Sequence, residues 1–100
     1  MRKIEIQMLN AIYNNKAWQS GNTAVTPRFD GSLSVYLHGN HIADVINSNM
    51  VGDVITPRIV DVNKETLRQW STPTTKSRLR ALGANVSTRK GITYFNNVAI

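Results

Sequence analysis

Residues 72 to 83, TPTTKSRLRALG, gather four hydroxyl side chains and three cations into twelve positions and end on a glycine. A helix beginning here would present unpaired backbone N–H groups and a partial positive charge, an environment that favours an anion. Thr74, Thr75 and Ser77 can add hydroxyl donors, and Lys76, Arg78 and Arg80 add full charges. Contacts of this kind position a phosphate backbone without reading its sequence. The stretch lacks the glycines of a Walker A loop, so nucleotide hydrolysis does not follow from it. A purely structural reading uses the same residues. Thr72 before Pro73 is a good helix start, with Thr74 as a competing cap, and Gly83 suits a left-handed terminator. In that helix Leu79 and Leu82 face the core with Thr75, while Lys76 and Arg80, four apart, share a more exposed side and Arg78 leans elsewhere.

A second basic site follows at ANVSTRKGITYFNN, which reads as strand, turn and strand with Arg89, Lys90 and Gly91 at the tip. Tyr94 and Phe95 alternate on the returning strand, so one packs inward and the other is free for the surface. The candidate nucleic-acid or anion-binding residues are therefore Thr74, Thr75, Lys76, Ser77, Arg78, Arg80, Arg89 and Lys90. Two recognition-spaced helices of the helix-turn-helix kind are not found.

Other chemistry is sparse. His38 and His41 flank Gly39-Asn40 and would face each other across a hairpin, but no Asp, Glu or Cys sits in that turn to complete a metal site. The six carboxylates, Glu5, Asp30, Asp44, Asp53, Asp61 and Glu65, are dispersed, and no pair suggests acid/base work. The chain has no cysteine, and its serines lack a nucleophile-elbow setting. No catalytic residue, metal or cofactor is expected, and the protein is expected not to be an enzyme.

Charge points to a polyanionic or acidic partner. The net +6 is distributed as +2 over residues 1–20, −2 over 21–66 and +6 over 67–100, where no Asp or Glu occurs. Such a block can concentrate positive potential on one part of a surface. The alternative is that these cations point in several directions and only keep the protein soluble.

The elements that must carry these residues follow from periodicity. One hundred residues with 41% apolar composition suit a single domain with one modest core. Ile4, Met8, Leu9 and Ile12 form one face of an amphipathic helix over about residues 2–15, closing near Asn14 and Asn15, with Trp18 folding back over the core. Gly21-Asn22 marks a break. TAVTPRF and LSVYLHG alternate with period two and join through Asp30-Gly31, with Pro27 placing the first at an edge or bulge. A second hairpin, LSVYLHGNHIADVI, turns at Gly39-Asn40 in type II′ geometry. NSNMVGD, residues 47–53, reads as a loop. VITPRIVDV and TLRQW then read as another antiparallel pair around Asn63-Lys64-Glu65, with a helix over NKETLRQW as the alternative. The expected fold is α+β, an antiparallel sheet of hairpins packed with an N-terminal helix and a short helix near residues 73–83. The N-terminus has two cations, but Glu5, Gln7 and Asn10 interrupt any signal-peptide core, and no apolar run spans a bilayer. A soluble, unprocessed protein with no membrane partner is expected.

The blocks SGNTAV, VYLHGNHIADV and W.TPTTKSRLRALG resemble a family of small accessory proteins encoded by tailed bacteriophages. Gly21, Asn22, Gly39, Asn40, Thr74, Thr75, Ser77, Leu79 and Leu82 carry most of the likeness. The segment from about 47 to 61 looks longer than the family's usual connection. The resemblance implies the host bacterial cytoplasm and an accessory role, and it implies no mechanism. Two partner classes are thus expected: DNA or RNA bound through the basic C-terminal third, or a host bacterial protein, such as a defence or transcription and replication factor, that this chain inhibits. A protein partner calls for an exposed apolar patch, sought at Trp18, Trp70 or the 47–61 segment. A homodimer through the sheet edge that lacks prolines is a third reading.

Overall fold

The computed structural model describes residues 2–46, 50, 51, 54, 55 and 57–100. The apolar spacing of the first segment produces α1 (Lys3–Tyr13), which buries Met8, Leu9 and Ile12. It ends where the two asparagines stand. Asn15 takes φ 53°, and the Asn15 and Lys16 N–H groups bond back to the carbonyls of Ile12 and Ala11, a left-handed termination that asparagine tolerates.

The chain then builds β1 (Trp18–Ser20), β2 (Thr23–Pro27), β3 (Ser32–Leu37), β4 (Asn40–Ile46), the short pair β5 (Met50–Val51) and β6 (Val54–Ile55), and β7 (Arg58–Val62). Five of these form an antiparallel sheet in the order β1-β2-β3-β4-β7. Alternation sends Val25, Leu33, Val35, Leu37 and Val45 to the core under α1. Trp18 packs against that core as expected, but from a strand, with Gly21-Asn22 turning β1 into β2. Pro27 departs from expectation. Its strand is interior, and the proline is accommodated because it is the last residue of β2, opposite Leu33. Pro57, by contrast, precedes the edge strand β7. The loop reading of residues 47–53 falls mostly outside the described residues; Met50 and Val51 are strand.

The turn between β3 and β4 differs by one residue from the type II′ expectation. It is His38-Gly39, with φ 52° and 77°, so both central residues are left-handed as in a type I′ turn. Leu37 then pairs with Asn40 and Tyr36 with His41, so the two histidines do not oppose each other. The segment after β7 is the helix alternative. Asn63 caps α2 (Lys64–Gln69) by accepting the Thr66 N–H at 3.1 Å, and Leu67 is buried. A side-chain cap and good helix formers outweigh the short β-like pattern of TLRQW.

α3 (Pro73–Ala81) starts and stops as the sequence predicts. Thr72 accepts the Thr75 N–H at 3.2 Å; Gly83 at φ 102° lets its own N–H and that of Ala84 return to the carbonyls of Arg80 and Leu79. The chain reverses into β8 (Val86–Arg89), β9 (Ile92–Phe95) and β10 (Val98–Ala99), a three-stranded antiparallel sheet. The architecture is α+β, with Val86, Phe95 and Ile100 joining the small sheet to the common core.

One interaction ties α1 to α3. Glu5, on the buried side of α1, accepts the Arg78 Nη1 at 2.7 Å and the Ser77 Oγ at 2.6 Å, while its other oxygen accepts the Arg2 N–H at 3.1 Å. Arg78 Nε donates to Thr23 Oγ1 at 3.0 Å, and Nη2 reaches Asn22 Oδ1 at 3.5 Å. Both charged side chains are 3% exposed, so they are nearly removed from water and answer only to each other and these hydroxyls and amides. Burial alone would raise the Glu5 carboxyl's pKa; the bonds from Ser77, Arg2 and Arg78, and the charge of Arg78, outweigh it and hold the group below its ordinary value.

Arg78→Ala leaves Glu5 as an uncompensated buried charge and should cost about 3–5 kcal/mol in urea unfolding at neutral pH. The double exchange Glu5→Met/Arg78→Met should cost less than the single one, and a fully additive result would show that the pair is not coupled. Because the folded pKa of Glu5 is depressed, its contribution is present above its unfolded-state pKa and lost as pH falls through the folded value. The gap in stability between the native chain and Glu5→Gln should therefore narrow as pH falls below about 4.5; a gap that widens would reverse the sign of the argument.

Candidate nucleic-acid interface

The eight residues singled out by type and spacing separate into three groups once α3 is packed. Thr75 and Arg78 are buried, and half-buried Ser77 is bonded beside them. Thr75 is 2% exposed and its Oγ1 lies 3.0 Å from that of Thr72, inside the cap itself. Ser77 and Arg78 are held by Glu5. The charge that Arg78 brings to the basic third is met by a carboxylate 73 residues away in sequence.

Lys76 and Thr74 form the second group, at the boundary. Lys76 is not on the exposed side expected from its spacing with Arg80. It is 8% exposed, its stem is covered, and Nζ donates to Thr88 Oγ1 of β8 at 2.6 Å. The reason is the position of the small sheet: β8 returns along the side of α3 that carries Lys76, which periodicity within the helix alone does not reveal. Thr74 is half-buried and borders a cavity of about 560 Å³ between the β3–β4 turn, the end of α2 and the start of α3.

Arg80, Arg89 and Lys90 form the third group and are exposed. Arg80 has no partner among the described residues. Arg89 and Lys90 stand at the β8–β9 turn, where Lys90 and Gly91 take φ 50° and 77°. The strand register places Arg89 opposite Ile92 and Ser87 opposite Tyr94, so these four share one face of the small sheet, with Ala99 of β10 next to Tyr94. That face looks outward. The Arg89 guanidinium lies 5.0 Å from the centroid of the Tyr94 ring, and its Nη2 donates to Asn97 Oδ1 at 3.2 Å. Phe95, on the opposite face, packs against the core beneath Lys64, whose Nζ is 5.7 Å from its ring. Of the two adjacent aromatics, Phe95 is therefore the inward one and Tyr94 the outward one.

Sequence reasoning missed Asn97 and the strand β10. The signal was present in Asn96-Asn97, which takes φ 52° and 66° as a second left-handed turn. Ile92, 47% exposed beside Arg89, is an aliphatic member of that face which the sequence reading did not name.

One other place brings polar and titratable groups together. His41 lies on the outer face of the five-stranded sheet, where Asp44 Oδ1 takes the Ser34 hydroxyl at 2.7 Å and His41 Nε2 at 2.9 Å. Burial would raise the Asp44 pKa, but Ser34, His41 and the Arg28 guanidinium together hold it below its ordinary value. Serine and histidine both address the carboxylate, and no bond joins them to each other, so this is a carboxylate-centred network rather than a nucleophile with its base. Among the described residues no group of three His, Cys, Asp or Glu side chains has metal-binding geometry. No described helix is long and apolar enough to cross a membrane.

The grouping has a direct consequence for mutagenesis. Arg89→Glu/Lys90→Glu should change urea-unfolding stability by no more than about 0.5 kcal/mol, as exposed sites do. Lys76→Glu should cost about 1.5–3 kcal/mol by breaking a charged hydrogen bond under a covered stem. Equal losses in the two variants would place Lys76 at the surface after all.

A protein-family model described as Kyanoviridae Gp96 protein matches residues 1–99. No match was found among the curated proteins or the solved structures.

Proposed function

The chain belongs to the Kyanoviridae Gp96 protein family, a phage family, and we propose that it is a non-enzymatic accessory protein that binds DNA or RNA in the host bacterial cytoplasm through the outer face of its C-terminal sheet. The observation that carries this reading is the stack of the Arg89 guanidinium on Tyr94, 5.0 Å from ring centroid to charge, beside the exposed Lys90. Cations release condensed counterions from a phosphate backbone, and exposed aromatic and guanidinium planes accept bases. The Asn97 contact and the two tight turns hold these groups in place before any ligand arrives. No Asp or Glu side chain occurs among residues 67–100 to repel a polyanion. A flat, open face of this composition suits unpaired bases better than the grooves of a duplex.

A second reading has its own observation. Phe29, at the tip between β2 and β3, is fully exposed, and the turn beneath it is rigid: Asp30 Oδ1 accepts the Ser32 N–H at 3.0 Å and the Ser32 hydroxyl at 2.7 Å. An aromatic presented on a fixed turn is the usual form of an anchor for a pocket on another protein. It favours a host-protein target for inhibition, at a residue other than Trp18 and Trp70.

Fluorescence anisotropy of labelled single-stranded DNA, single-stranded RNA and duplex DNA, taken from low to physiological salt, decides between them. With Arg80, Arg89 and Lys90 engaged, log K should fall with log salt at a slope of about −2 for a single strand. Arg89→Glu/Lys90→Glu should abolish the binding while Phe29→Ala leaves it intact. No binding at low salt, or binding indifferent to salt and to the charge reversal, rejects the nucleic-acid reading and transfers the weight to Phe29.

A further inference from the structure

The cavity beside α3 has a chemistry that the outer sheet face does not use. Its apolar lining includes buried Leu37 and Ile42, and Trp70, 52% exposed, borders it as well. The polar groups around it, His38, Asn40, Thr66, Thr72, Thr74 and Thr75, are hydroxyls, an amide and an imidazole, and among the described residues no carboxylate lines it. At about 560 Å³ it lies within the range of small-ligand sites. A planar group with hydrogen-bonding edges matches this combination: one face on the indole and apolar lining, the rim turned to neutral donors and acceptors.

The cavity also lies at the right end of the molecule. After the reversal at Gly83 the chain leads back past α3, where Lys76 Nζ meets Thr88 Oγ1 of β8. From that bond, Thr72 is four helical residues away, about 6 Å, and Lys90 is two strand residues away, about 7 Å, in the same direction. The basic turn and the cavity mouth thus share one end of α3.

We infer that the cavity between Trp70, the His38-Gly39 turn and Thr74 is a subsite for one unstacked nucleobase, stacked on Trp70, of a strand whose phosphates lie on the Arg89-Lys90 turn. The inference rests on the nucleic-acid reading and specifies which part of the ligand each surface holds. Trp70, which the sequence singled out only as a possible protein anchor, becomes the stacking platform.

Two single-stranded probes of equal length and charge test it: an oligodeoxynucleotide, and the same sugar-phosphate backbone made of abasic sites. Trp70→Ala should weaken the base-bearing probe about tenfold and leave the abasic probe unchanged, since aromatic stacking contributes on that scale per base. Trp70→Phe should retain most of the affinity, and Arg89→Glu/Lys90→Glu should weaken both probes. Circular dichroism on each variant identifies any loss of fold. If Trp70→Ala binds the base-bearing probe as the native chain does, or weakens both probes equally, the subsite is overturned while the phosphate interface stands. If the native chain binds neither probe, both are overturned.

Discussion

The ion pair between Glu5 and Arg78 is the constraint around which the remaining packing is arranged. It joins the first turn of α1 to the middle of α3 and, through Thr23 and Asn22, to the turn that opens the five-stranded sheet. Removing two charges from water is costly, and their mutual attraction repays this only where every remaining donor and acceptor is also satisfied. Ser77, Thr23 and the Arg2 N–H supply those bonds. The arrangement therefore discriminates among packings: α3 shifted by one residue would leave both charges buried and unpaired. It also brings SGNT and TTKSRL, far apart in sequence, together, since Asn22, Thr23, Ser77 and Arg78 meet in one network.

That network reshapes the basic third. Arg78 is neutralised by Glu5, and Lys76 is drawn along β8 to Thr88, so much of the positive charge of TPTTKSRLRALG is spent on holding the helix. The charge left in water stands at Arg80 and at the Arg89-Lys90 turn, with Arg68 paired to Glu65 at 2.8 Å. The best-placed groups for a polyanion thus lie on the C-terminal meander, where strand alternation combines them with Tyr94 and Ile92. The start of α3 has a different place, bordering the cavity that Trp70 also lines.

Local patterns in the sequence were sufficient for much of this. Apolar period and terminating residues located α1 and α3, Asp30-Gly31 and Lys90-Gly91 located two hairpins, and the Tyr94/Phe95 alternation was correct in principle. The errors share a cause. Whether Lys76 faces water depends on where β8 lies, whether Pro27 sits on an edge depends on β1 pairing beyond it, and whether Arg78 is a ligand or a strut depends on a glutamate 73 residues earlier. Each is a tertiary fact with no local signature. The turn at His38-Gly39 failed for a smaller reason: histidine at φ 52° is an uncommon first residue for a type I′ turn, so Gly39-Asn40 was the better local guess. The helix over residues 64–69 was decided by the Asn63 cap, which was visible in the sequence but outweighed by the alternation before it.

The most direct examination is the two-dimensional amide and arginine Nε–H NMR spectrum of the native protein titrated with a short single-stranded oligonucleotide at low salt. The structure assigns the largest shifts to Arg89, Lys90, Ile92, Tyr94 and Asn97, with the Arg89 Nε–H among them and the buried Arg78 Nε–H unmoved. Shifts centred on Phe29 and Asp30, or a spectrum unchanged at saturating oligonucleotide, would contradict a nucleic-acid interface on the C-terminal sheet.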